Sequence, residues 1–241
     1  DGSAIMGHLA ILATGHAVPQ HPPQGMRGGW DFAPPADSGA DVVIIGEASE
    51  LNLKRGQRGR AEISLSTFGR SCHSSNPEEG VNAIEAMLTV LPKILSLPAP
   101  SHPVLGDGIL VATDIISTPY PGRSVLPDRC TVTFDRRLLI GESPSSILAP
   151  IKGILDEHPA IEASLCCTEG EIASYTGQTI KAERFFDAWL MADDHPVVQQ
   201  SLDALNEIGI PARLSHYRFC TNGSRYAGVL AIPTIGFGPG A

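Results

Sequence analysis

The sequence predicts an α/β fold in which an α/β domain is interrupted by a second, inserted α/β domain. Three observations predict it. Residues 41–46 (DVVIIG) form a short continuous apolar run ending at glycine, as a strand buried on both faces does. Residues 57–168 then pass through period-two and helical patterns in the order β-α-β-β-α-β. Beyond residue 168 a helical stripe and two further strand patterns resume, so the first domain continues after the second has finished.

Each element has a local reason. Residues 8–13 (HLAILA) predict a strand, and a long irregular segment follows through Trp30 and Pro35, because residues 1–40 hold five prolines and seven glycines. Residues 61–68 (AEISLSTF) alternate, which predicts a half-buried strand. Asn76-Pro77 opens a segment in which Val81, Ile84, Met87, Leu88 and Leu91 recur at helical spacing. Residues 109–116 and 129–139 predict strands. Ser143 before Pro144 predicts a helix cap with proline in the first turn, and Ile147, Leu148, Ile151, Ile154 and Leu155 form the apolar stripe. Residues 161–167 close the set, and this order is that of the split βαβ sandwich of ferredoxin-like domains. Asp193 or Asp194 is expected to cap a helix with His195-Pro196 in its first turn and Val197, Val198, Leu202, Leu205 and Ile208 facing a core, ending at Gly209. Strands are expected over 213–219 and 232–237. The expected domains are 1–56, 57–168 and 169–241, the first and last being two segments of one domain.

Composition narrows the function. The chain has 241 residues, 42% of them hydrophobic, with 17 Lys+Arg against 26 Asp+Glu and a net charge of −9. An acidic chain with 5% aromatics offers neither a basic face nor stacking platforms, so no nucleic-acid partner is expected. No apolar run approaches the roughly 18 residues of a membrane span. Five cysteines without a CxxC fit reduced thiols and a cytoplasmic setting.

The sequence contains no GxSxG, HExxH, GxxxxGK[ST] or strand-linked GxGxxG motif, so chemistry must be assembled from distant residues. Glu47 ends the apolar strand, where α/β sheets gather ligands; it can ligate a divalent metal or be a solvated or capping carboxylate, and Glu50 is a weaker candidate. His73 lies on the turn after a strand, where an imidazole can donate to an oxyanion, accept a proton, or simply be exposed. Adjacent Cys72 is a weaker nucleophile candidate. Arg58, Arg60, Arg123, Arg136 and Arg137 can fork onto a substrate carboxylate or form an Asp–Arg ladder across strands. Thr221-Asn222-Gly223 is a tight-turn signal.

Three segments carry a resemblance: GEASELNLKRGQRGRAEISLSTFGRSCHSSNPEEGVNAIEAM, DRRLLIGES and FCTNGSRYAGVLAIPTIGFGPG. Together, over about residues 40–240, they resemble the zinc-dependent family of acetylornithine deacetylase, succinyl-diaminopimelate desuccinylase, aminoacylase and carboxypeptidase G, and most of all its selenium-metabolism-linked hydrolase branch. The resemblance implies part of a zinc-peptidase-like α/β/α catalytic domain with an inserted ferredoxin-like domain that makes a homodimer. It implies hydrolysis of amide bonds in N-acyl amino acids or small peptides carrying a carboxylate. It also implies two zinc ions, or cobalt or manganese in their place, as cofactors. By the same resemblance Glu47 matches a zinc-ligating glutamate. His73 matches the histidine that reaches the partner subunit's active site and holds the tetrahedral intermediate. Asn222 and Gly223 fall in the loop lining the substrate pocket, and Arg123 and Arg137 near positions that hold the substrate's carboxylate.

The departures from the family are specific. The chain has no HxD, and the histidine that follows the family's GFGPG run is not within it. Gln20-His21 align where the family has a Glu-Glu pair, and Glu78-Glu79 are not that pair because they follow His73 in the inserted domain. Glutamine cannot take a proton from a metal-bound water. His21 is a further candidate ligand or base. The expectation is a chain lacking the family's N-terminal part and extreme C-terminus, which by itself neither binds zinc tightly nor hydrolyses such substrates. The alternative is a non-catalytic dimeric ligand-binding or assembly module.

Overall fold

The computed structural model describes residues 9–12, 40–173 and 179–240 of the chain. They divide into two compact units, one comprising residues up to Gly59 with His102–Gly106 and Phe186–Ala241, the other Arg60–Ser101 and Asp107–Phe185.

The first unit is built on a sheet whose strands run in the order Leu9–Leu12, Val42–Ile45, Thr234–Gly236, Leu53–Gln57 and Trp189–Leu190, with Leu214–Tyr217 also paired to Leu53–Gln57. The first three are mutually parallel and aligned Leu9 to Val42 and Thr234 to Val43, whereas Leu53–Gln57 meets Gly236 antiparallel. The apolar run of residues 41–46 is thus an interior strand, with Val43 and Ile45 fully buried. Helix α3 (Pro196–Glu207) packs Val198 into a core with Leu53, Trp189, Met191 and Ile235.

The expected cap of that helix is corrected. His195 is the N-cap, its Nδ1 accepting from Val197 N at 3.2 Å. Asp193 is engaged elsewhere, in an ion pair with Arg55 at 2.5 Å. Arg55 is 7% exposed, and a buried guanidinium must be paired. The terminal strands are shorter than expected, Leu214–Tyr217 and Thr234–Gly236, and Leu53–Gln57 had no sequence signal because Lys54, Arg55 and Gln57 mask its period.

The second unit bears out the predicted sandwich. Its strands Gly59–Phe68, Ile109–Thr118, Arg129–Leu138 and Ala163–Cys167 and its helices α1 (Ala83–Leu95) and α2 (Pro144–Asp156) follow the order β-α-β-β-α-β. In the sheet, Ala163–Cys167 pairs antiparallel with Gly59–Phe68, which neighbours Arg129–Leu138, which in turn pairs antiparallel with Ile109–Thr118. Strict alternation of burial along the two central strands turns Ala61, Ile63, Leu65, Val132 and Phe134 onto Met87, Val90, Ile94, Ile147 and Ile151 of the helices. Ser143 caps α2 with a full capping box.

Helix α1 starts later than Asn76-Pro77 predicts. Residues Pro77–Glu79 form a 3₁₀ turn, and Asn82 is the true cap, accepting from Ile84 N at 3.0 Å. The buried face is Ala83, Met87, Val90 and Ile94; Val81 lies outside the helix and Leu88 is 57% exposed. A two-stranded antiparallel ribbon follows, Glu169–Ala173 with Thr179–Glu183, for which no strand is expected from the sequence pattern.

Candidate functional site

Glu47 follows the buried strand Val42–Ile45, and its backbone is clamped from two sides. The Tyr217 hydroxyl donates to the Glu47 carbonyl at 3.1 Å and to Ile45 O at 3.4 Å. Gly238 lies so close to the Glu47 carbonyl that no side chain would fit there, and Ser49 Oγ both accepts from Gly238 N at 3.0 Å and donates to Gly238 O at 3.1 Å. Gly238 of the GFGPG run is therefore required by close approach, as is Gly236, where a Cβ would meet the Tyr217 ring, whereas a Cβ at Gly240 would meet nothing within 4 Å. Burial first, and the Glu47 carboxylate second, push the Tyr217 phenol well above its ordinary range, so Tyr217 is a permanent donor.

The Thr221-Asn222-Gly223 turn is held by a buried amide. Gln57 Oε1 accepts from Thr221 N at 3.0 Å and Thr221 Oγ1 at 2.6 Å, while its Nε2 donates to Ser224 Oγ at 2.9 Å and Thr221 O at 3.3 Å. Ser224 Oγ donates onward to Asp187 O at 2.6 Å. Gly223 has φ −56°, so the turn does not need left-handed backbone; a Cβ there would instead lie 2.5 Å from Trp189 Nε1. The turn leads into a six-residue π-helical segment, Ser224–Val229.

Within the first unit Tyr217 links these two features, since it is the ladder partner of Gln57 while its hydroxyl reaches the Glu47 carbonyl. Ile45, Gly236, Lys54 and Ser215 form one row across the sheet. Glu47 continues beyond that row in one direction, and Gln57 with its Thr221 partner lies beyond it in the other.

In the second unit, His73 sits in an exposed loop bridged antiparallel to Val125, with Ser74 N donating to Ser124 O at 3.0 Å and Leu126 N to Cys72 O at 2.9 Å. Its Nδ1 lies 2.8 Å from Ser75 Oγ. Arg123 adjoins Ser124, so the fold brings His73 and Arg123 to one end of the unit. Arg137 is elsewhere. It pairs with Ile109 at the far end of a ladder whose other end is Thr118 with Arg129, about 25 Å away at strand spacing. There Arg137 Nε binds Asp135 at 2.9 Å, and Asp135 also binds Arg60 at 2.8 Å, the cross-strand Asp–Arg ladder. Cys72 Sγ donates to Asn76 O at 3.3 Å. A cleft of about 410 Å³ lined by Phe68, Val81, Asn82, Glu85 and Leu126 holds none of the candidate residues.

The resemblance implies a metal set to which Glu47 would give one carboxylate. Among the described residues no three of His, Cys, Asp or Glu come together to hold a metal ion, and zinc takes three or four protein ligands. These residues do not compose a zinc site by themselves. Gln20 and His21 lie outside the described residues. Among those residues no helix is long and apolar enough to cross a membrane.

Comparison with known proteins bears on the same segments. Residues 55–162 match the M20 peptidase dimerisation domain. The uncharacterised protein YgeY of Escherichia coli (strain K12) is 34% identical over 206 residues, covering 83% of this chain and 50% of that protein. An acetylornithine deacetylase of Buchnera aphidicola is 38% identical over 94 residues, covering 39% of this chain and 23% of the enzyme. The fold matches aminopeptidase PepT from Bacillus cereus with TM-score 0.65 at 16% identity, over 87% of this chain and 52% of that one. The chain spans about half the length of YgeY and PepT.

Proposed function

We propose that the protein to which this chain belongs is a metal-dependent hydrolase of amide bonds in N-acyl amino acids or small peptides, because residues 55–162 match the M20 peptidase dimerisation domain. That match carries the reading, and the 206-residue similarity to YgeY supports extending it across both units. Zinc, with cobalt or manganese as substitutes, supplies the Lewis acid when bound. Glu47 contributes one ligating carboxylate and Tyr217 orients it through the Glu47 backbone. His73 donates a hydrogen bond to the oxyanion that develops at the amide carbon in the partner subunit. Arg123 holds the substrate's carboxylate, Asn222 and Gly223 line the pocket, and Arg137, bound to Asp135, has the weaker claim to the carboxylate.

The homodimer forms through the second unit, in a cytoplasmic protein. Strand Ile109–Thr118 ends the sheet, and Val111, Ile115 and Ile116 are 48%, 55% and 50% exposed, an apolar edge suited to a second copy. The protein extended to its relatives' full length is expected to release amino acid from N-acetyl amino acids or dipeptides on addition of zinc, cobalt or manganese. No release across such a panel overturns the reading.

Gln20-His21 in the glutamate-pair position favours a second reading, a dimeric ligand-binding module without catalysis. For the chain alone we expect neither tight zinc nor turnover. Stoichiometric zinc by elemental analysis together with amidase activity overturns that expectation.

A further inference from the structure

The first unit concentrates positive charge where two strands run side by side. Lys54 is opposite Ser215 in the ladder between Leu53–Gln57 and Leu214–Tyr217, and its Nζ stands 5.7 Å from the centroid of the Tyr217 ring. Arg58 follows the same strand, and its backbone N–H donates to Tyr217 O at 3.3 Å, which sets it beside Arg218. His216 lies between Ser215 and Tyr217. In an acidic chain, cations are thus gathered within a few residues on two neighbouring strands.

The charges acting on this group are named individually. Lys54, Arg55, Arg58 and Arg218 all act on His216, and together with burial, the largest cause, they hold its imidazole below the ordinary histidine range. Arg55 is neutralised by Asp193. Glu50 opposes the charge of Lys54, whose ammonium burial and Arg218 lower in turn. Among the described residues neither Lys54 nor Arg218 has a carboxylate within ion-pair distance, and Arg218 is exposed. Like charges held together repel unless an anion joins them, and an ammonium, an imidazole and a guanidinium carried on two neighbouring strands offer a carboxylate both charge and directed donors.

We propose that Lys54, His216 and Arg218 form a binding site for the carboxylate of a small ligand. The site lies in the first unit, whereas Arg123 and Arg137 belong to the second. It does not rest on the amide-hydrolase reading.

The test follows the His216 imidazole by NMR, assigned with His216→Gln, while N-acetylglycine or its neutral analogue N-acetylglycinamide is added at constant ionic strength without metal. N-acetylglycine should move the His216 midpoint upward and saturate, and the amide should not. Arg218→Gln and Lys54→Gln should each weaken binding about tenfold, with unfolding midpoints unchanged. Equal responses to acid and amide, a non-saturating drift, or undiminished binding in both variants overturns the site. Carboxylate binding without any amide cleavage leaves this proposal standing while the hydrolase reading falls; cleavage without carboxylate preference does the reverse.

Discussion

The side chain of Gln57, fully buried, accepts both the backbone N–H and the hydroxyl of Thr221, 164 residues further along the chain. Gln57→Leu would leave those two donors and the Ser224 hydroxyl without this partner. At about 1–3 kcal/mol per buried unsatisfied group, with partial relaxation, the expected loss is about 3 kcal/mol. It is read as a lower urea midpoint; an unchanged midpoint would show that water replaces the amide without loss.

Gly223 is required by space. In Gly223→Ala the new methyl meets the Trp189 indole, and overpacking of this kind costs about 1–3 kcal/mol. Trp189 emission should shift along with the loss of stability, since the indole must move. Normal emission and stability would contradict the contact.

The edge strand predicts the oligomer. Ile115→Lys with Ile116→Glu places charge on two half-exposed positions and should leave each subunit folded but monomeric by sedimentation equilibrium. A dimer formed equally by this variant and by the unaltered chain would place the proposed interface elsewhere.

Thiol chemistry separates neighbours. Cys166 is exposed, whereas Cys167 is 7% exposed and its thiol is pushed up to about 11, by burial first and by the Glu183 carboxylate second. Near neutral pH Cys166 should alkylate and Cys167 should not. Between the ordinary thiol value and about 11, the folded state holds a proton that the unfolded state has lost, so this group makes stability fall as pH rises through that window. Equal labelling of the pair at neutral pH would refute the burial.

Capping offers a local check. Ser143→Ala removes the bond to Ser146 N at 3.2 Å and should cost about 1 kcal/mol in thermal or urea unfolding.

Local pattern alone sufficed for much of this protein. The alternation in residues 61–68, the stripe from Ile147 to Leu155 and the Ser143-Pro144 cap could be read directly, because each depends on periodicity or on a single turn of backbone. Glu47 could be located at the end of its strand for the same reason. Long-range pairing decided the rest. Asp193 lost the expected capping role to the buried charge of Arg55, the strand Leu53–Gln57 exists because Gly236, Ser215 and Trp189 pair with it, and Gly223 answers to an indole 34 positions away in sequence. Such contacts leave no trace in neighbouring residues, since the energy of burying a charge or an amide is set by whatever the folded chain brings against it.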